Sequence, residues 1–257
     1  MTAITATPPL QGLAVLVTGA SGGTGRALVH AIAGAGAHPV IHYARDEEGA
    51  STLLKEVDGQ GWMLQANLSS PEGAADLWMR AETIAGRIYG LVNNAGVRIE
   101  AKIDAELLAW QKAWEQDLRV NLQAPVDLCR CAIHHFRRHG GGRIINIASR
   151  AAQRGYTADF MPYGASKAAL INVTKSLARN YGAEGVISIA IAPGFVNTDM
   201  AAEYVKKHGM AAATGDIPIQ AMAEPKEIAD LVVFCLNPAQ RSLNGATLDV
   251  NGGSYVR

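Results

Sequence analysis

The stretch LAVLVTGASGGTGRALVHAIAGAGA, residues 13–37, decides the fold. Leu13 to Val17 is a short unbroken apolar run, as expected of a strand buried on both faces of a parallel sheet. Thr18-Gly19-Ala20-Ser21-Gly22-Gly23-Thr24-Gly25 follows at once, and a helical pattern begins at Arg26. Strand, glycine turn and helix in this order let the backbone approach a pyrophosphate closely. The unpaired N–H groups and positive dipole end of the new helix then receive its charge. A glycine turn without a ligand is the plainer alternative; its position directly between strand and helix favours dinucleotide binding.

Outward from this unit the alternation repeats. Pro39 to Tyr43, Trp62 to Ala66, Tyr89 to Val92, Arg143 to Ala148, Val186 to Ala192 and Ala246 to Val250 read as six further strands, with helical patterns between them. Seven strands alternating with helices predict an α/β fold with a doubly wound parallel sheet. Ligands of such sheets bind beyond the carboxyl ends of the strands, so the strand tips carry the functional reading. The second strand ends His42-Tyr43-Ala44-Arg45. No acid stands at its tip to bond a ribose 2′-hydroxyl, and Arg45 suits a 2′-phosphate, which favours NADP over NAD. Asn67, after the third strand, offers an amide oxygen to an adenine amino group, and Ser70 before Pro71 is the expected cap of the next helix. Asn93-Asn94-Ala95-Gly96, after the fourth, supplies small and amide-bearing residues that pack beside a ligand and brace the crevice. Beyond Pro193–Thr198, residues up to Ile219 show weak periodicity with Met200 and Met210. That pattern predicts a mobile lid over about residues 195–220.

The chemistry concentrates between Ser149 and Lys167, SRAAQRGYTADFMPYGASK. Ser149 ends the fifth strand, so its hydroxyl emerges at a strand tip. If Tyr163 opens a helix, Lys167 lies one turn later on the same face. An adjacent ammonium favours the phenolate and pulls the phenol's pKa from about 10 toward neutrality, giving a general acid/base. Upstream, a long helical region is expected from Asp104, as N-cap, to the basic run His134, His135, Arg137, Arg138 and His139. Pro125 cannot donate to the carbonyl of Asn121, which is left free to hold a water. The basic run suits a helix C-terminus before Gly140 better than a metal, and no metal site is expected.

The chain of 257 residues has 23 basic and 23 acidic residues. One α/β domain over residues 12–257 is expected, preceded by a flexible tail, residues 1–11. The balanced charge argues against nucleic-acid binding and against an anionic membrane surface. No apolar run approaches the roughly 20 residues a membrane span needs. The opening MTAITATPPLQG lacks the features of a secretory signal, and three cysteines without framework spacing fit a reducing cytoplasm.

Thr18-Gly19-x-x-x-Gly23-x-Gly25, Asn93-Asn94-Ala95-Gly96, Asn121, Ser149, Tyr163-x-x-x-Lys167 and Pro193-Gly194 occur in the order and approximate spacing of the short-chain dehydrogenase/reductase family. The chain resembles its single-domain branch, typified by 3-oxoacyl-[acyl-carrier-protein] reductases and by sugar and ring-alcohol dehydrogenases. The resemblance implies a Rossmann fold, a homotetramer and reversible hydride transfer between a nicotinamide and a carbonyl or secondary alcohol. It implies Tyr163 as acid/base, Lys167 holding the nicotinamide ribose, Ser149 orienting the substrate oxygen and Asn121 holding a relay water. Gly19, Ser21, Gly23, Thr24, Gly25, Asn67, Leu68, Asn94, Ala95, Gly96, Tyr163, Lys167, Pro193, Gly194, Val196 and Thr198 would line the cofactor. Departures are Thr24 for a usual isoleucine, Gly22 where many NADP users carry arginine, and Asn67 and Asn251 for aspartates. The Ser149-to-Tyr163 spacing is one residue longer than usual. The intervening loop is therefore expected to bulge and, with Arg98, Arg150, Arg154, Tyr156 and Phe195, to shape a pocket for a polar or anionic substrate. The alternative of a non-catalytic dinucleotide sensor is disfavoured by the complete Asn121, Ser149, Tyr163 and Lys167 set.

Overall fold

The computed structural model describes residues 8–257. Seven parallel strands form one sheet in the order β3-β2-β1-β4-β5-β6-β7. They are β1 (Ala14–Val17), β2 (His38–Tyr43), β3 (Trp62–Gln65), β4 (Ile88–Asn93), β5 (Gly142–Ile147), β6 (Val186–Pro193) and β7 (Thr247–Val250). The connecting helices are α1 (Gly23–Gly34), α2 (Glu47–Glu56), α3 (Gly73–Ala85), α4 (Leu107–Leu118) and α5 (Ala124–His139). Beyond β5 come a short α6 (Ala151–Arg154), the long α7 (Met161–Tyr181), α8 (Asp199–His208), α9 (Met210–Thr214) and α10 (Pro225–Leu236). None of these helices is long and apolar enough to cross a membrane.

Strand side chains alternate between the two faces. Val15, Val17, Ile41, Val92 and Ile145 pack with α1 and α10, whereas Leu16, Val40, Leu91 and Ile144 pack with α3 and α5. Both faces are covered, which is why the strands read as continuous apolar runs. Because β1 pairs with β2 on one side and β4 on the other, the chain reverses its winding there. The crevice at that switch point is where an open α/β sheet receives a ligand.

At the opposite, amino end of β5, Arg143 is 3 % exposed and has no acidic partner among the described residues. Its guanidinium donates to Tyr89 Oη at 2.8 Å and to the carbonyls of Cys235, Gln240 and Pro238 at 3.2, 3.0 and 2.9 Å. One cation thus ties β4, β5 and the end of α10 together.

Several expected boundaries move. Of the tail, residues 1–7 lie outside the described residues, but Pro8–Gln11 is docked rather than loose. Leu10 is fully buried, and its N–H donates to Ala35 O at 3.0 Å. Ser70 does not cap α3: its hydroxyl donates back to Asn67 O at 3.1 Å, and Glu72 precedes the helix. Asp104 likewise lies short of α4, which is preceded by Glu106. The helix around Asn121 is continuous but carries a π-turn, Arg119–Gln123, immediately before Pro125. A missing proline N–H is a known source of such irregularity. In the basic run, His135 Nε2 accepts the Ile88 N–H at 3.0 Å, Arg138 pairs with Glu82 and Arg137 with Glu184. These side chains are engaged in structural bonds.

Candidate active site

The glycine turn is held by its neighbours rather than by its own residues. Gly19 has φ +61°, and a Cβ on Gly25 would lie 2.1 Å from Gly19 O, so neither position admits a side chain without displacement of backbone. Thr18 Oγ1 accepts the N–H groups of Asn94 and Ala95, both at 3.0 Å. Asn94 Nδ2 donates to the carbonyls of Thr18 and Gly19 at 2.9 and 3.0 Å. The Asn93-to-Gly96 turn and the glycine turn are thereby one assembly across the switch point. A dinucleotide fits the residues present. Helix α1 begins after Gly22 with no side-chain cap and no acid in its first turn, and a Cβ on Gly22 would meet nothing within 4 Å. That leaves backbone N–H groups and the dipole end open to a pyrophosphate.

A residue that the sequence reading used only as part of a strand completes this assembly. His42, 1 % exposed, accepts the Gly19 N–H through Nδ1 at 3.0 Å, and its Nε2 lies 3.2 Å from Ala66 O. A carbonyl can only accept, so the ring is the neutral Nε2–H tautomer. Burial holds its pKa down to about 4, against the pull of the Ala66 bond. The unfolded state takes up a proton between about pH 6.5 and pH 4 that the folded state refuses, so stability falls with falling pH across that window, at about 1.4 kcal/mol per unit. Urea midpoints at pH 7 and pH 5 should separate less in His42→Gln than in the wild type. An equal separation would remove His42 as the cause.

At the tip of β2, Asp46 turns its carboxylate to the Gly49 N–H at 2.9 Å and caps α2, while Arg45 is exposed. Asn67 Oδ1 accepts both the N–H and the hydroxyl of Ser69, at 3.1 and 2.6 Å. Its oxygen is thus engaged locally rather than reserved for adenine, and Leu68 beside it is buried. Across the crevice, Gly194 N–H donates to Val250 O at 2.9 Å, and Thr198 lies 3.5 Å from where a Gly23 Cβ would stand. Thr198 thus approaches the glycine turn from the β6 side, while Gly194 is tied to the end of β7.

Tyr163, Lys167, Ser149 and Asn121 are brought together from α7, the β5 tip and the π-turn. Helix α7 begins at Met161 with Pro162 in its first turn, which sets Tyr163 and Lys167 on one face. Lys167 Nζ lies 5.8 Å from the Tyr163 ring centroid and donates to Ile147 O at 2.8 Å. The phenol does not titrate as expected from its lysine neighbour. Burial pushes it up to about 12, opposed by the Ser149 hydroxyl and by the charge of Arg98. Burial also takes Lys167 down to about 8, with Asp117 pulling the other way. At neutral pH the site therefore holds a protonated phenol beside a largely charged lysine.

Asp117 is a second group that the sequence reading passed over. It is fully buried, accepts from Asn121 Nδ2 at 2.7 Å and Ser166 Oγ at 2.8 Å, and sits one helical turn before Asn121. Burial raises its pKa despite these bonds and the charge of Lys167. The amide of Asn121 also bonds both polar groups of Val97, each at 2.8 Å. This leaves its side chain committed to holding the strand-four loop. The i,i+4 spacing of Asp117 and Asn121 on a helix was the available signal.

In the expected substrate pocket the arginines divide. Arg150 and Arg154 lie 3.1 and 2.6 Å from Asp216 Oδ2, so the segment after α9 engages both with one carboxylate; this corrects their reading as open substrate contacts. Phe195 packs on Tyr204, with ring centroids 5.2 Å apart. Arg98 and Tyr156 face each other near Tyr163.

The chain is similar to known proteins over nearly its whole length. The family model described as short chain dehydrogenase matches residues 13–209. The 3-oxoacyl-[acyl-carrier-protein] reductase of Vibrio cholerae is 32 % identical over 96 % of this chain and 99 % of that protein. That of Vibrio harveyi is 34 % identical, again over 96 % and 99 %. Among solved structures, a candidate NAD(P)-dependent gluconate 5-dehydrogenase from Beutenbergia cavernae with bound NADP superposes with TM-score 0.86 and 34 % identity, covering 96 % of this chain and 98 % of that one. A short chain dehydrogenase from Burkholderia cenocepacia in complex with NADP gives 0.87 and 32 %, covering 96 % and 99 %.

Proposed function

This chain belongs to the short-chain dehydrogenase family and is an NAD(P)-dependent oxidoreductase, and on that premise we propose that it uses NADP(H) to reduce a ketone of the 3-oxoacyl type to the secondary alcohol. The observation that carries this reading is the convergence of Tyr163, Lys167 and Ser149 beside an uncapped α1 N-terminus. A bound NADPH supplies the hydride and its two electrons. Tyr163, protonated at neutral pH, gives its proton to the oxygen of the carbonyl being reduced, and Ser149 donates a hydrogen bond to the same oxygen. Lys167 holds positive charge beside the phenolate that results. The main-chain carbonyl of Asn121, denied a donor by Pro125, holds the water through which the proton is restored.

Arg45 and the turned-away Asp46 support NADP as the cofactor, as do the relatives solved with it. Fluorescence titration should give NADPH an affinity at least about tenfold above NADH, as loss of one charge-assisted phosphate contact implies. Arg45→Gln should narrow that gap; tighter NADH binding by the wild type would overturn the assignment. A second reading, oxidation of a sugar or cyclic alcohol, is favoured by the likeness to the candidate gluconate 5-dehydrogenase. Turnover of sugar acids with NADP+ and none of 3-oxo compounds with NADPH would select it.

A homotetramer in the cytoplasm completes the reading. Support comes from the α4–α7 face, where Leu107 and Leu108 are 66 % and 78 % exposed and Trp110 stacks near Trp114. A shallow depression of about 710 Å³ runs between α5 and α7 on the same side. The three free cysteines suit a reducing compartment. Light scattering on the purified protein tests the tetramer, and a monomeric mass would refute it.

A further inference from the structure

Arg98 is the one arginine of the pocket without a carboxylate partner among the described residues. It follows the Asn93-to-Gly96 turn directly, so the same backbone assembly that frames the cofactor crevice fixes its position. Its guanidinium lies 4.8 Å from the Phe160 ring centroid, and Nη1 donates to Tyr156 Oη at 3.1 Å. The Tyr156 ring is in turn 5.6 Å from that of Tyr163 and 6.2 Å from that of Phe160. The side chain is half-buried, held on one face by an aromatic ring and at one nitrogen by a phenol. Four of its five N–H donors have no protein partner among the described residues. Arg150 and Arg154, from the loop after β5, would compete for an anion, but they already share the carboxylate of Asp216.

We propose that Arg98, stacked on Phe160 and oriented by Tyr156, is the subsite for an anionic group of the substrate, so that the oxo or hydroxy compound processed here carries a carboxylate or phosphate close to the reacting carbon. The proposal rests on the reductase reading of the same site and narrows its substrate class. A planar guanidinium with an open edge binds an oxyanion through two parallel N–H bonds, and stacking on a ring fixes the plane in which it does so. The anion would then hold the substrate with its carbonyl toward Tyr163 and Ser149. A neutral ester or thioester lacks that anchor and leaves the guanidinium solvated.

A matched pair tests this: acetoacetate against its ethyl ester, with the wild type, Arg98→Gln and Arg98→Lys. Turnover is followed by NADPH oxidation, and binding of acetoacetate to the protein–NADPH complex by calorimetry. Loss of a charge-assisted pair predicts that Arg98→Gln raises KM and Kd for acetoacetate about 10- to 100-fold, whereas any change in kcat through the charge of Arg98 on Tyr163 is shared by the ester. The KM of the ester should change less than about threefold, and Arg98→Lys should recover part of the loss in acetoacetate binding, which a purely structural role for Arg98 would not produce. Arginine-dependent binding of acetoacetate without turnover keeps the subsite and defeats the reductase reading. Turnover of the ester with no arginine-dependent preference for the acid does the reverse. Absence of acetoacetate binding in the wild type also overturns the subsite.

Discussion

Tyr163→Phe is expected to cut turnover by about 10²- to 10⁴-fold in both directions, the usual worth of a positioned acid/base. Binding of NADPH should stay within about twofold, because the change removes one hydroxyl and leaves the ring in place. The structure sharpens this expectation. With the phenol's pKa at about 12 and Ser149 against it, the proton needed for reduction is present across the neutral range. The deprotonated form needed for alcohol oxidation is scarce there, so oxidation by the wild type should quicken as pH rises through the alkaline range while reduction does not. Stopped-flow NADPH oxidation, with fluorescence titration of the same preparations, separates chemistry from binding. Unimpaired turnover in the variant would remove Tyr163 from the reaction.

Arg143→Met is expected to cost roughly 3 kcal/mol of stability, from the loss of charged hydrogen bonds and the desertion of buried carbonyl acceptors. For a chain of this size that lowers Tm by about 6–12 °C. Tyr89→Phe removes the bond from Arg143 at 2.8 Å and the hydroxyl's own bond to Leu236 O at 3.2 Å, and should cost about 1–2 kcal/mol. Because Arg143 sits at the amino end of β5 and the chemistry at the carboxyl end, kcat of Arg143→Met at low temperature should match the wild type. A large fall in kcat without a fall in Tm would contradict that division between stability and function. Calorimetry and initial rates at 15–20 °C decide it.

The strands were legible because burial on both faces writes itself as an apolar run, and their tips followed from the topology. The last helix carries its start in local chemistry: Glu224 and Glu227 cap it reciprocally and Pro225 stands in its first turn. Caps were misread where a side chain had a second local partner. Ser70 could cap α3 or return to the Asn67 carbonyl, and sequence gives no weight to either. Pairings across long separations were equally hidden. Arg154 and Asp216 stand 62 positions apart, so nothing near either one announced that the loop arginines would share a carboxylate while Arg98 would not. Tyr163 and Lys167 were found by spacing, but the dominance of burial over the lysine's charge depends on what surrounds the phenol. His42 and Asp117 were missed because a lone polar residue in an apolar run reads as a blemish until its partners are seen.

The place of β1 inside the sheet, between β2 and β4, has a consequence for how the chain comes to be folded. Its partner β2 follows closely, but its other partner, β4, begins only at Ile88. While the chain emerges from a ribosome, β1 therefore waits with one edge unpaired and apolar, the condition that invites pairing with a neighbouring chain. Closing that seam requires contacts between segments far apart in sequence, which makes it slow. A dinucleotide lying across the β1–β4 crevice touches both sides of the seam and binds only after it has closed. Refolding yields should accordingly rise with added NADPH, and the cell's cofactor pool would act on this protein as a folding aid before it acts as a reductant.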